Sequence, residues 1–383
     1  MAARKLVCVD LSDYENRKAD IAASLLSAAT EEGFFFVTGH GVSDAELQRM
    51  YALSRAFFTL PEDVKGRTRG PMSNPHYVLG YFSEELELGP VRQGFLCGAH
   101  AARRRVTLQL TPCVRRPQRT TTRAWPACGP LTRPRSSRHA AGAPHKLQNA
   151  ALTLLPCVRA QEALAFMRQL HGVVSKLMTC LALALGLPED AFLKEMCIED
   201  DDNGSALSFN YFPSVEGKEV KPGQLRISQH TDFEILTLLF QSQPGLEICP
   251  GKDSGGVVGV QTNALDEKWT PAGPLPGAIT CNIGDALQYL TDGKLRSTYH
   301  RVRLPQPGEY QGERISLAYF SNVKLTTPLQ GPLKKYPPVN FLDLLASRAA
   351  AIPLAMEADG TVKAAAMDRY HSYVAGPDVP AVQ

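Results

Sequence analysis

The sequence predicts a mainly β protein with flanking helices, built on a jelly-roll core. Two observations predict it. From residue 205 onward, apolar and β-branched residues come in short pieces separated by Gly and Pro, the texture of an antiparallel sandwich or barrel and not of a parallel sheet. Before 205, and again near the C-terminus, apolar residues recur at helical spacing instead.

Residues 6 to 9 read as a short strand. Residues 15 to 32 carry Ile21, Leu25, Leu26, Ala28 and Ala29 at helical spacing, and Gly33 stops that helix. Phe34-Phe35-Phe36-Val37 is a buried strand bounded by Gly39-His40-Gly41. Ser43 then caps a second helix with Leu47, Met50, Tyr51, Leu53, Phe57 and Phe58 on its apolar side. Pro61-Glu62 opens a short third helix, and Tyr77 to Phe82 is the best strand signal before residue 98. Leu164, Met167, Leu170, Val174, Leu177, Met178, Leu181 and Leu185 trace a long helix ending at Gly186-Leu187-Pro188, with a further helix over 189 to 196. The expected strands that follow are 206 to 212, 226 to 230, 235 to 241, 245 to 249, 257 to 261, 277 to 282, 287 to 290, 297 to 304 and 314 to 321. Helices are expected at 340 to 350 and 361 to 373.

Residues 99 to 160 differ from everything around them. Arg, Pro, Thr and Ala dominate and no period persists. This segment holds twelve Lys or Arg and no acid; since the whole chain has a net charge of +3, the remainder carries −9. Three readings stand: a disordered loop, an arm for nucleic acid or an acidic partner, and translated GC-rich or out-of-frame DNA, that is, an error of the gene model. The first and third are preferred, and nucleic acid is not expected as a partner.

No run approaches the roughly 18 apolar residues of a membrane span. The N-terminal residues lack an apolar signal core, and the nine cysteines show no C-x-x-C spacing, so a cytoplasmic protein with unbridged thiols is expected.

Chemistry concentrates in His230-Thr231-Asp232 and in His300 of Ser-Thr-Tyr-His-Arg-Val. Residues i and i+2 share a face of a strand, so His230 and Asp232 can reach one metal from a strand end, with His300 supplied by a neighbouring strand. Two imidazoles and one carboxylate are the ligand set of a non-haem Fe(II) centre with open positions for small molecules. Taken singly, each has a plainer reading: His-x-Asp a surface turn, His300 a satisfied core histidine, Arg314 half of a surface ion pair.

Together with their surroundings these residues resemble the Fe(II)- and 2-oxoglutarate-dependent dioxygenase superfamily, in its isopenicillin N synthase-like branch. The resemblance runs through Asn210-Tyr211-Phe212-Pro213, His230 to Gln241, Pro244 to Glu247, Trp269, Pro276-Gly277-Ala278, Asn282-Ile283-Gly284-Asp285, Ser297 to Val302 and Arg314-Ile315-Ser316, and through Gly33-Phe34-Phe35 and Gly39 to Val42 near the N-terminus. It implies a double-stranded β-helix core and iron held by His230, Asp232 and His300. Arg314 and Ser316 would receive the distal carboxylate of 2-oxoglutarate, with Tyr211 as a third contact. A guanidinium fork suits a carboxylate, and residues 314 and 316 share a strand face. His40 is expected as a structural turn residue.

The implied cofactors and cosubstrates are Fe(II), 2-oxoglutarate and O2, with ascorbate as an optional reductant. The implied reaction is hydroxylation or other oxidation of a small organic molecule with release of succinate and CO2. An oxidase on the same scaffold that does not consume 2-oxoglutarate shares the Arg-x-Ser motif, and a non-catalytic binding module is the remaining alternative. The expected organisation is an N-terminal region over 1–98, the basic insert over 99–160, a long helix and connector over 161–204, the catalytic core over 205–325 and a helical tail over 326–383. The Pro- and Gly-rich loop between His300 and Arg314 is expected to be a hairpin.

Overall fold

The computed structural model describes residues 6–66, 68, 80–86, 89–98, 144–200, 202–220, 224–249 and 269–345. Strand β1 (Cys8–Asp10) leads into helix α1 (Tyr14–Glu31), whose Ile21, Leu25, Ala28 and Ala29 turn inward. Gly33 ends α1 at φ +68°, where a Cβ would lie 2.2 Å from the Arg296 carbonyl oxygen. Strand β2 (Phe34–Thr38) follows, then α2 (Asp44–Phe58), which opens on a capping box. The Ser43 hydroxyl accepts from the Glu46 N–H, and the Glu46 carboxylate accepts from the Ser43 N–H. A short α3 (Glu62–Gly66) precedes the antiparallel strands β3 (Gly80–Leu86) and β4 (Gly89–Gly98).

The long helix α4 (Pro144–Ala184) begins earlier than expected, inside the basic segment. Leu147, Ala150, Ala151 and Leu152 favour helix, and it continues through Pro156, a residue that removes one hydrogen bond from the ladder. Its C-terminal half is fully buried at Met167, Leu170, Val174, Leu177, Met178 and Leu181 and packs on α1. The helix expected at 189 to 196 is instead a run of turns with one 3-10 turn at Leu193–Glu195, because the stretch between Pro188 and buried Met196 is too short to nucleate an α-helix.

Strands β5 (Ala206–Phe212), β6 (Leu225–His230), β7 (Leu236–Gln241), β8 (Leu246–Cys249), β9 (Thr270–Pro271) and β10 (Ile279–Ile283) come next. Residues 287 to 290, expected as a strand, belong to helix α5 (Asp285–Leu290). Four residues cannot separate a period of two from one of 3.6, and Asp285 supplies the acid favoured in a first helical turn. Strands β11 (Tyr299–Arg303) and β12 (Arg314–Ser321) close the core, and β13 (Pro328–Leu329) pairs with β14 (Val339–Asn340). Residues 341–345 are helical; the remainder of the 340 to 350 helix, the 361 to 373 helix and the 257 to 261 strand lie outside the described residues.

The strands form two facing sheets, a jelly-roll sandwich and not a closed barrel. The larger runs β1-β2-β10-β7-β12-β5-β4-β3 and the smaller β6-β11-β8-β9. N-terminal strands therefore extend the core sheet at both edges. Phe34, Leu246, Ile248, Ala272 and Val302 pack between the sheets, while α1, α2 and α4 cover the outer face of the larger one. The connection from β11 to β12 crosses from the smaller sheet to the larger, so the expected hairpin does not form; β11 pairs with β6 and β8, and β12 with β5 and β7. Among the described residues no helix is long and apolar enough to cross a membrane.

Candidate metal centre

His230 ends β6 and His300 lies directly opposite it on β11, a cross-strand pair with ring centroids 4.2 Å apart. Asp232 sits in the turn into β7. Its Oδ1 is 3.4 Å from His300 Nε2 and 3.7 Å from His230 Nε2, and the three donor atoms lie within 4.8 Å of one another. Each ring faces a backbone carbonyl through Nδ1: Ser228 O at 2.8 Å for His230, Thr298 O at 3.2 Å for His300. A carbonyl only accepts, so both Nδ1 atoms carry the proton and both Nε2 lone pairs point to the shared centre.

The Asp232 carboxylate is oriented by its other oxygen. Thr237 Oγ1 and Asn282 Nδ2, cross-strand partners on β7 and β10, donate to Oδ2 at 2.5 and 2.7 Å. The Asp232 carbonyl accepts from the Asp285 N–H at 2.8 Å, and Thr231 Oγ1 donates to Asp285 Oδ2. Gly284 lets this turn close: a Cβ there would sit 2.0 Å from the Glu234 carbonyl oxygen. Burial alone would raise the Asp232 carboxyl, but His300, His230 and the Asn282 hydrogen bond together hold it well below the carboxylate range. For His300, burial opposes the proton and Asp232 outweighs it, raising the imidazole. Burial, reinforced by His300, lowers His230. Asp232 and His300 are buried, whereas the His230 side chain is 39% exposed and marks the open side.

Arg314 and Ser316 lie on the inner face of β12. The guanidinium is 1% exposed and donates to Gln243 O at 3.0 Å, Gln241 Oε1 at 2.9 Å and Ser316 Oγ at 3.3 Å, with Phe212 5.0 Å away. Burial, with Arg226 nearby, pushes it down to about 9. No carboxylate among the described residues pairs with it.

Tyr211 does not join this group. Arg314 pairs with Phe212 and Ser316 with Asn210, so Tyr211, one residue out of phase, points to the other face of the sheet, where its ring stacks on Phe58 of α2 at 5.5 Å. His40 is the turn residue expected: its Nδ1 accepts from the Val42 N–H and its Nε2 meets Gly277 O at 3.2 Å. Residues not assigned from the sequence are Thr237, Gln241, Asn282 and Arg92, whose guanidinium bonds Asn210 Oδ1 at 2.8 and 3.2 Å. For Thr237, Gln241 and Asn282 the signal was a polar residue on an otherwise apolar strand, whereas Arg92, beside Gln93, carried none.

Fold and site together define a two-histidine, one-carboxylate metal oxygenase of jelly-roll type. Two family models match the chain: the 2OG-Fe(II) oxygenase superfamily over residues 203–323, and the N-terminal region of non-haem dioxygenase in morphine synthesis over 6–119. The chain belongs to the 2OG-Fe(II) oxygenase superfamily, in its isopenicillin N synthase-like branch. Its family chemistry uses Fe(II), 2-oxoglutarate and O2. The 2-oxoglutarate-Fe(II) type oxidoreductase ppzD of Metarhizium majus is 28% identical over 319 residues, 82% of this chain and 81% of that protein. Proline hydroxylase buaE of Petromyces alliaceus is 28% identical over 327 residues, 82% and 85% of the two chains. Among solved structures, a full-length Neurospora crassa protein in complex with alpha-KG and 5-formyluracil has the same fold, with a TM-score of 0.65 and 21% identity over 90% of this chain and 96% of that one.

Proposed function

We infer that the protein is an Fe(II)- and 2-oxoglutarate-dependent dioxygenase oxidising a small organic molecule, with His230, Asp232 and His300 as iron ligands and Arg314 and Ser316 as the receptor for the distal carboxylate of 2-oxoglutarate. The observation that carries it is the pairing of two features. Three metal-type donors converge within 4.8 Å, and a buried guanidinium with no carboxylate partner among the described residues stands on the larger sheet. A buried cation of this kind is costly unless an anion completes it, which is how the residues fit the cosubstrate.

Bound there, Fe(II) supplies the activation of dioxygen, the overall change being substrate R–H, O2 and 2-oxoglutarate to R–OH, succinate and CO2. The chain's own residues hold and orient. The Ser228 and Thr298 carbonyls keep the protons on Nδ1, and Thr237 with Asn282 engages Asp232 Oδ2 so that Oδ1 stays available. Arg314 fixes the cosubstrate by its far end, with Gln241 and Gln243 holding the guanidinium in place. Phe34 packs edge-on against the His300 ring at 5.4 Å and screens it from water.

A small-molecule substrate is supported by a relative named for proline hydroxylation and by a structural neighbour crystallised with 5-formyluracil. A cytoplasmic setting is supported by Cys8, Cys180, Cys197 and Cys281, none of which is in a disulfide. The test is to load the purified protein with Fe(II) and measure succinate formed against oxygen consumed, with a substrate panel and with ascorbate present. Equal amounts are expected. Oxygen consumption without succinate would mean the oxidase alternative; no iron-dependent uptake with any substrate would mean a binding module. Asp232→Ala should retain no iron and show no turnover.

A further inference from the structure

Arg226 is a buried charge to which the proposed chemistry gives no task. Arg226 lies on β6, four residues before His230, with which the strand ends. It is 5% exposed, and its Nε–H is buried with no hydrogen-bond partner. Its Nη2 reaches only the Pro213 carbonyl, at 3.4 Å. The Arg226 and Arg314 guanidinium carbons lie 5.6 and 5.0 Å from the centre of one ring, that of Phe212. Two cations thus share a single phenyl ring, one from each sheet, and no carboxylate among the described residues pairs with either. The π face offers each partial compensation, but it answers neither the mutual repulsion nor the orphan Nε–H.

We propose that Arg226 is a second cationic ligand for the distal carboxylate of 2-oxoglutarate, gripping it from the sheet opposite Arg314. This rests on the dioxygenase reading given above. A carboxylate between the two forks would accept from Arg226 Nε and neutralise both buried charges at once. The two charges oppose one another within the protein itself, where burial, and for Arg314 also the nearness of Arg226, holds them at about 10 and about 9. Diacid selectivity would then come from two arginines and not from the Arg-x-Ser strand alone.

The experiment is calorimetric titration of the Mn(II)-loaded full chain with 2-oxoglutarate and with 2-oxopentanoate, which keeps the oxo acid end and replaces the distal carboxylate with a methyl group. Arg226→Gln is expected to weaken 2-oxoglutarate about tenfold or more while leaving 2-oxopentanoate within about twofold, as removal of one charge-assisted contact predicts. Arg226→Lys, which keeps the charge without the fork, is expected to fall between. Unchanged 2-oxoglutarate affinity, or equal weakening of both acids, would overturn the proposal by making Arg226 a prop for the Pro213 turn. If Arg226→Gln does not fold, the lysine variant decides by the same selectivity. Wild-type protein that fails to prefer the diacid would instead sink the reading of Arg314 and Ser316 on which the proposal stands.

Discussion

At Asp232 one carboxylate divides its labour: Oδ1 faces both imidazoles while Oδ2 is engaged by Thr237 and Asn282. Removing one of those donors leaves the carboxylate itself intact but free to turn. Asn282→Ala is therefore expected to weaken metal binding about ten- to a hundredfold, read by titration with Co(II) or Mn(II) while the fold is followed by circular dichroism. Protons compete for the same site. His300 binds its proton more tightly in the metal-free fold than in the unfolded chain, so its protonation stabilises that fold below the ordinary histidine range and the contribution fades as pH rises through the folded value. Metal needs the bare nitrogen. The metal-induced rise in Tm should consequently grow from about pH 6 to about pH 8, and a flat or shrinking increment would count against His300 as a ligand. The grouping of His230, Asp232 and His300 was legible in the motif, although Asp232 reaches the two histidines from the turn after β6 and not by strand alternation. Tyr211 was misassigned because which face a residue takes depends on register with the neighbouring strand, and register is a property of the folded sheet.

Among the elements, those whose pattern is local were legible nearly to the residue. The strands over 206–212 and 314–321 carry their alternation on both sides of long runs, and α2 announces itself by Ser43 and Glu46 three apart. Ser43→Ala should cost about 1 kcal/mol in chemical denaturation, the usual worth of such a cap. Helix α5 was illegible because its reason lies elsewhere in the chain: the turn from Gly284 is pressed against the Glu234 carbonyl, and Asp285 is tied to Asp232. Gly284→Ala forces that contact apart and should destabilise by about 1–3 kcal/mol, with metal affinity falling alongside. Stability lost with metal affinity intact would show that the turn does not set the position of Asp232.

For the whole molecule, the sandwich was legible in the number and spacing of its strands. The partition of those strands between two sheets was not, since β11 and β12 are neighbours in sequence but not in space. The histidines stand on one sheet and Arg314 on the other, so on the proposed reading a diacid bound to metal at one end and to guanidinium at the other would tie together two walls that already meet through Phe34, Leu246, Ile248 and Val302. Hydrogen exchange at β6 and β11 should slow markedly when metal and 2-oxoglutarate are added together, and much less with either alone. On that reading the cosubstrate would also serve as a rivet between the sheets, one that its conversion to the shorter succinate would release.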